Sequence, residues 1–138
     1  MLEMNEDSLQ WIAILMFMGF ILRAHVFSRI LGVEKLTVHE LMEKLGANPP
    51  IVLIDVRTKM EFDAGHAKGA RLVPLNELKK RVEEVKQMCP HGSVAVVCRS
   101  GNRSLSGTVI LKRAGIEHVY NVSGGMIHWQ SQGYPVRK

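Results

Sequence analysis

From residue 33 onward, apolar residues fall into short runs that are separated by turn-forming residues. Residues 51–56 and 94–97 are unbroken apolar runs except for Asp55, and β-branched side chains dominate them. Such runs are typical of strands buried on both faces. Between them, apolar positions recur at helical spacing over residues 77–87. Strands that alternate with helices predict an α/β fold with a parallel sheet covered on both faces.

Helix starts are marked by two capping boxes. Thr37 with Glu40, and Thr58 with Glu61, have the S/T-x-x-E spacing in which each side chain satisfies a free backbone N–H group. Further strands are predicted at residues 34–37, 70–73 and 118–121, and further helices at residues 104–114 and 126–132. In parallel sheets of this class, ligands bind beyond the carboxyl ends of the strands.

A cysteine lies at one of these carboxyl ends. Residues 94–97 lead directly into Cys98, and the next helical pattern begins near Ser104. Backbone N–H groups of the intervening loop and of the first helical turn can converge on one point. Such a point binds anions and favours a thiolate over a thiol. We therefore predict that Cys98 is a reactive nucleophile, the alternative being an inert buried thiol.

The residues that follow Cys98 are predicted to cradle an anionic substrate. They are Arg99, Ser100, Gly101, Asn102, Arg103 and Ser104. Gly101 lets the backbone curl without a Cβ clash. Arg99 and Arg103 are suited to attracting and orienting an oxyanion. A structural brace is an equal alternative for Arg103, and a solvated surface position is an alternative for Arg99.

Other polar residues are predicted to support this loop. Asp55 and Arg57 follow a predicted strand and can orient the loop through hydrogen bonds, with a structural brace as the favoured role. The histidines show no metal-ligand spacing, so we predict neither a metal nor a cofactor. Cys89 precedes the strand that Cys98 ends. The two thiols are therefore expected at opposite ends of the sheet, too far apart for a disulfide.

The N-terminal segment differs from the rest of the chain. Residues 1–8 are acidic, residues 11–22 are continuously apolar, and basic residues follow. An acidic start excludes a secretory signal peptide. We predict a single membrane span with lipid contact over residues 9–27. The charge asymmetry would place the catalytic domain in the cytoplasm. The alternatives are an interfacial or self-associating helix, a core helix and a soluble cytoplasmic protein. The predicted boundaries are 1–32 for this anchor and 33–138 for the catalytic domain.

The net charge limits the kinds of molecule that the protein is expected to bind. The chain has 138 residues and a net charge of +5, and its basic part can attract anionic substrates. A basic helix and an aromatic-basic sheet motif are both missing, so nucleic acid is excluded as a partner.

Four blocks of sequence resemble a known family. They are Ile54-Asp55-Val56-Arg57, Glu61-Phe62 through Gly65-His66 to Gly69-Ala70, the Cys98 loop, and Val122-Ser123-Gly124-Gly125 with Trp129 and Gly133-Tyr134-Pro135-Val136. At these spacings the chain resembles a single-domain rhodanese, a sulfurtransferase, over roughly residues 35–136. The resemblance implies a five-stranded, mainly parallel sheet and a sulfur-carrying Cys98. It does not extend to residues 1–32.

The resemblance implies transfer of sulfane sulfur through a Cys98 persulfide. The predicted donor is a small sulfur-containing anion such as thiosulfate, and the acceptor is cyanide, a thiol or a partner protein. One alternative is a membrane-tethered sulfur carrier or binding module with little turnover. A less favoured alternative is a phosphatase or arsenate reductase on the same scaffold. The cysteine loops of those enzymes resemble C-x₅-R, whereas Cys98 and Arg103 form a shorter C-x₄-R.

Overall fold

A computed structural model of the protein describes residues 6–30 and 32–138, the side chains of residues 24–30 excepted. The chain divides into two units, Met1–Gly32 and Val33–Lys138. The strands are β1 (Glu34–Leu36), β2 (Val52–Asp55), β3 (His66–Ala67), β4 (Arg71–Leu72), β5 (Ser93–Val97), β6 (His118–Val122) and β7 (Val136–Arg137). The helices are α1 (Glu6–Ile30), α2 (Val38–Leu45), α3 (Lys59–Ala64), α4 (Leu75–Leu78), α5 (Val82–Met88), α6 (Asn102–Arg113) and α7 (Gly125–Ser131).

The second unit is built on a parallel sheet. Within residues 32–138, five strands pair in the order β1-β6-β5-β2-β4, and every pair is parallel. Strands β3 and β7 form a separate antiparallel ribbon. This architecture confirms the predicted α/β fold with a mainly parallel five-stranded sheet. The order also places β5 in the centre, so the loop that follows β5 leaves the middle of the sheet.

Alternate residues of the central strand face opposite sides of the sheet, as strand geometry requires. Val94 and Val96 pack with Leu78 and Leu111 of the helices on one side. The intervening Ala95 and Val97 pack in a second cluster, with Leu36, Leu41 and Trp129. Both faces of the sheet are therefore buried. This burial explains why the strands are continuous apolar runs rather than alternating ones.

Helix α6 approaches the sheet closely. A Cβ atom at Gly107 would lie 3.2 Å from Cγ1 of Val96, so a glycine allows the helix to sit directly on β5.

The helix predicted over residues 77–87 is instead two helices, α4 and α5, which are separated at residues 79–81. Arg81 bonds both Glu77 and Glu84 across this break. The apolar positions Leu78, Val82 and Val85 keep a helical spacing through the break, so the sequence pattern did not reveal it.

Helix α1 contains the apolar residues 11–22. At 1.5 Å per residue, this run spans about 18 Å, whereas the hydrocarbon core of a bilayer is about 30 Å thick. Gln10 directly before the run and Arg23 directly after it interrupt the apolar sequence. In the part of the chain that the structure describes, no helix is both long and apolar enough to cross a membrane. The predicted single-pass span is therefore wrong. This finding does not support the predicted lipid contact over residues 9–27 or the predicted membrane localisation.

Candidate functional site

The predicted nucleophile lies in a tight loop between β5 and α6. Cys98 directly follows β5, and α6 begins at Asn102. Gly101 is the N-cap of α6 and has a φ of 107°, a left-handed conformation that favours glycine. The turn at Gly101 directs the N-terminus of α6 back toward Cys98. Cys98 itself is only 1% exposed, so a reactant has to reach its sulfur within the loop.

Hydrogen-bonding groups surround the Cys98 sulfur. The backbone N–H of Gly101 donates to Sγ at 3.1 Å, and the Cys98 thiol donates to Oγ of Ser104 at 3.3 Å. Burial acts to raise the pKa of the Cys98 thiol. A hydrogen bond with the Ser104 side chain and hydrogen bonds from the backbone N–H groups of Ser104, Gly101 and Ser100 together outweigh this burial and lower the pKa. The loop therefore favours the thiolate, which is the nucleophilic form.

A buried polar network holds Ser104 in place. Its hydroxyl donates to Oδ1 of Asn121 at 2.6 Å, while Nδ2 of Asn121 donates to the Gly101 carbonyl at 3.2 Å. Asn121 lies on β6, next to β5 in the sheet. Sequence reasoning missed Asn121 as a site residue. The available signal was its position in a predicted buried strand, where a polar side chain needs a partner.

A second element fixes the other side of the loop. At the start of α7, the backbone N–H groups of Met126 and Ile127 donate to the carbonyls of Cys98 and Arg99, at 2.8 and 3.1 Å. A Cβ atom at Gly125 would lie 2.5 Å from the Cys98 carbonyl oxygen and 2.6 Å from that of Arg99. Gly125 is therefore required for this close approach. With these carbonyls bound to α7, the N–H groups of the loop remain available on the Sγ side.

The two arginines of the loop have different environments. Arg103 forms a bidentate ion pair with Glu61 of α3, with both N–O distances at 2.7 Å. Hydrogen bonds from Arg103 are the main reason that the pKa of Glu61 falls to about 2. Arg99, by contrast, is exposed, as are Ser100 and Asn102. We call these three exposed residues the loop rim. Both predicted roles of Arg103, an oxyanion contact and a structural brace, stay predictions.

Asp55 and Arg57 form a brace beside the loop. Both side chains are buried, and the Arg57 guanidinium contacts the Asp55 carboxylate at 2.8 to 3.0 Å. Nη2 of Arg57 also donates to the Gly65 carbonyl at 2.9 Å. The pair thus ties the end of β2 to the turn before β3. These bonds do not involve the Cys98 sulfur, and the supporting role of both residues stays a prediction.

The second cysteine has a different environment. Cys89 is the C-cap of α5 and lines a cavity of about 420 Å³ near the start of β5, with Arg71 among the other lining residues. Burial raises the pKa of the Cys89 thiol, an effect that the Arg71 charge only partly offsets. Both cysteines are free thiols. Cys89 is therefore an internal control for the chemistry of Cys98.

We expect the two thiols to titrate in different pH ranges. Because the pKa of Cys98 is lowered and that of Cys89 is raised, Cys98 should hold the larger thiolate fraction at every pH below the ordinary thiol pKa. The ultraviolet absorbance of the thiolate measures this, with Cys89→Ser reporting Cys98 and Cys98→Ser reporting Cys89. A measured pKa of Cys98 equal to or higher than that of Cys89 would contradict the proposed thiolate stabilisation.

Comparison with known proteins identifies the family. Residues 37–132 match the rhodanese-like domain model, so the chain belongs to the rhodanese-like domain family. It is similar to the protein YqhL of Bacillus subtilis, with 39% identity over 77 residues, which cover 56% of this chain but only 59% of YqhL. It is also similar to a protein named sulfurtransferase from Allochromatium vinosum, with 29% identity over 104 residues, covering 75% of this chain and 94% of that protein.

Solved structures agree with this family assignment. The crystal structure of a rhodanese-like domain protein from Staphylococcus aureus superposes with a TM-score of 0.64 and 28% sequence identity. The match covers 77% of this chain and all of that structure. The rhodanese-like fold predicted from the four sequence blocks is therefore confirmed.

Proposed function

We propose that this protein is a sulfurtransferase that carries sulfane sulfur on Cys98. The observation that carries the proposal is the donation of the Gly101 N–H group to Cys98 Sγ at the N-terminus of α6. This geometry stabilises a sulfur-centred negative charge, and membership of the rhodanese-like family supports the same chemistry. The name of the Allochromatium vinosum relative is consistent with sulfur transfer as the reaction class.

The proposed reaction has two half-reactions. The Cys98 thiolate attacks the outer sulfur of thiosulfate, the S–S bond of the donor breaks, and sulfite leaves with the bonding electron pair. Cyanide or a thiolate then attacks the outer sulfur of the Cys98 persulfide and restores the thiolate. Because each half-reaction begins from a different enzyme form, the kinetics should be ping-pong.

The backbone of the loop has the main part in this proposal. The N–H groups of residues 99–104 can bind the outer persulfide sulfur as it becomes negative, with help from the dipole of α6. Ser104 would hold the inner sulfur, which its hydroxyl already contacts at 3.3 Å. On the loop rim, Arg99 would attract the anionic donor and stabilise departing sulfite. We also propose that residues 33–138 form the sulfur-transfer domain and that residues 1–32 lie outside it.

The same geometry opposes the phosphatase alternative. Four residues separate Cys98 from Arg103, so the cup is smaller than a C-x₅-R loop that encloses a tetrahedral phosphate. The guanidinium that a phosphatase would use for the phosphate oxygens is bound to Glu61 instead. Both features favour a single sulfur atom as the occupant of the loop.

A turnover assay tests the proposal and separates it from a carrier. With thiosulfate and cyanide, we expect continuous formation of thiocyanate over many equivalents of protein, and negligible hydrolysis of an aryl phosphate. Uptake of about one equivalent of sulfur from thiosulfate with little thiocyanate formation would indicate a sulfur carrier that releases its sulfur slowly. Efficient aryl phosphate hydrolysis by the unmodified chain would contradict the sulfurtransferase proposal.

A further inference from the structure

An ion pair joins the Cys98 loop to a helix far away in the sequence. Arg103, in the first turn of α6, binds Glu61, in the first turn of α3, although 42 residues separate them. Both Nη atoms take part, at 2.7 Å each. The side chains are 37% and 32% exposed, so the pair lies at the protein surface.

The carboxylate of this pair is held in place independently of Arg103. Oε2 of Glu61 accepts hydrogen bonds from the backbone N–H of Thr58 at 2.9 Å and from the Thr58 hydroxyl at 3.0 Å. These are the capping-box contacts of α3. Glu61 is therefore anchored by its own helix. Because the pKa of Glu61 is about 2, the carboxylate stays charged at any pH used for an assay.

The pair changes the charge that a donor encounters. Although the loop sequence contains two arginines, the charge of Arg103 is compensated at contact distance by Glu61. The cation left on the loop rim is Arg99, which is exposed. A site with one uncompensated arginine matches a donor with one negative charge better than a donor with two.

We propose that Glu61 is a specificity-determining residue that shifts the donor preference from the thiosulfate dianion toward organic sulfane donors with one negative charge. The inference rests on the proposed sulfur transfer at Cys98. In the step concerned, the Cys98 thiolate attacks the outer sulfur of a thiosulfonate. The S–S bond of the donor breaks, a sulfinate leaves with the bonding pair, and the persulfide anion stays on Cys98. Thiosulfate reacts in the same way but carries one more negative charge.

The test compares thiosulfate with benzenethiosulfonate, using kcat/KM for thiocyanate formation in Glu61→Gln and in the unmodified chain. A glutamine retains the capping contacts but removes the negative charge beside Arg103. We expect the ratio of thiosulfate to benzenethiosulfonate activity to rise about threefold to tenfold. This gain should decrease as ionic strength rises. An unchanged ratio would overturn the inference.

The chain offers a matched control for the helix cap. Glu40 has the same capping-box contacts with Thr37, at 2.8 Å to both the backbone N–H and the hydroxyl, but its described contacts include no arginine. Glu40→Gln should therefore leave the donor ratio unchanged. A ratio that rose equally in Glu40→Gln and Glu61→Gln would attribute the effect to net charge or helix capping and contradict a specific role of Glu61.

A double-mutant cycle separates charge from bracing. Arg103→Gln leaves the Glu61 charge uncompensated and should lower the thiosulfate to benzenethiosulfonate ratio. Glu61→Gln combined with Arg103→Gln restores the original net charge and should return the ratio to near that of the unmodified chain. If the activity ratio of the double variant is as low as that of Arg103→Gln, the charge-compensation mechanism is contradicted. Failure of both donors to load the unmodified chain would remove the proposed function itself.

Discussion

Cys98→Ser is expected to abolish sulfur loading completely. After treatment with thiosulfate, the intact mass of the unmodified chain should increase by one sulfur, about 32 Da, and cyanide should remove this increase. In the serine variant neither change should occur, because a hydroxyl at this position cannot form a persulfide. The substitution replaces one small atom at a buried site, so the fold should be retained and circular dichroism should be unchanged.

Cys89→Ser is the matched control for this experiment. Both cysteines are free and buried, but the pKa of Cys89 is raised by burial, whereas that of Cys98 is lowered by its hydrogen bonds. Cys89→Ser should therefore load one sulfur normally. If Cys89→Ser prevents loading while Cys98→Ser does not, Cys98 is not the sulfur-carrying residue. Loading of two sulfurs onto the unmodified chain would show that its local environment does not select Cys98.

The position of the candidate nucleophile could be predicted from the sequence because it depends on local patterns. The apolar run before Cys98 indicates a buried strand, and the glycine and helical pattern after it indicate a turn into a helix. In the structure β5 ends at Val97, and α6 begins at Asn102, two residues before the predicted start at Ser104. The N-cap explains the difference. Gly101 supplies the left-handed turn. In a sequence, a glycine indicates the start of a helix less strongly than a capping serine does.

The partners of the site residues could not be predicted, since they depend on which strands and helices become neighbours. Asn121 reaches Ser104 because β6 pairs with β5, and Glu61 reaches Arg103 across 42 residues. Neither contact leaves a periodic signal. The ribbon of β3 and β7 was missed for a related reason, because each strand has two residues. Such short strands are below the length at which alternation can be recognised.

The error at the N-terminus has a different origin. The prediction gave more weight to the all-round apolar character of residues 11–22 than to the length of this run. An apolar helix surface indicates burial against some apolar environment, but it does not identify a bilayer. Length is the stricter criterion, because a span has to match a hydrocarbon core that is about 30 Å thick. Glu6 and Asp7 in the first turn of α1 limit the apolar part of the helix.

The role of Gly125 leads to the second large prediction, which is that Gly125→Ala disrupts both stability and sulfur loading. Gly125 has a φ of 54°, a left-handed conformation that is unfavourable for alanine. The added Cβ would also lie 2.5 Å from the carbonyl oxygen of Cys98. Both obstacles are backbone features, so a rotamer change cannot relieve them. We expect a loss of about 2–5 kcal/mol in the free energy of unfolding, measured by urea denaturation.

Gly133→Ala separates the two causes, because Gly133 has a φ of 70° but no atom within 4 Å of the position of an added Cβ. This control should lose only the conformational part, about 1–2 kcal/mol, and should load sulfur at the normal rate. In Gly125→Ala the Cys98 and Arg99 carbonyls have to move away from α7, which weakens the bonds from Met126 and Ile127. The N–H groups on the opposite side of the loop then lose their alignment with Sγ. Sulfur loading should therefore slow by more than about tenfold in the folded fraction. Equal stability and equal loading rates in the two variants would show that the contact between α7 and the loop does not position Cys98.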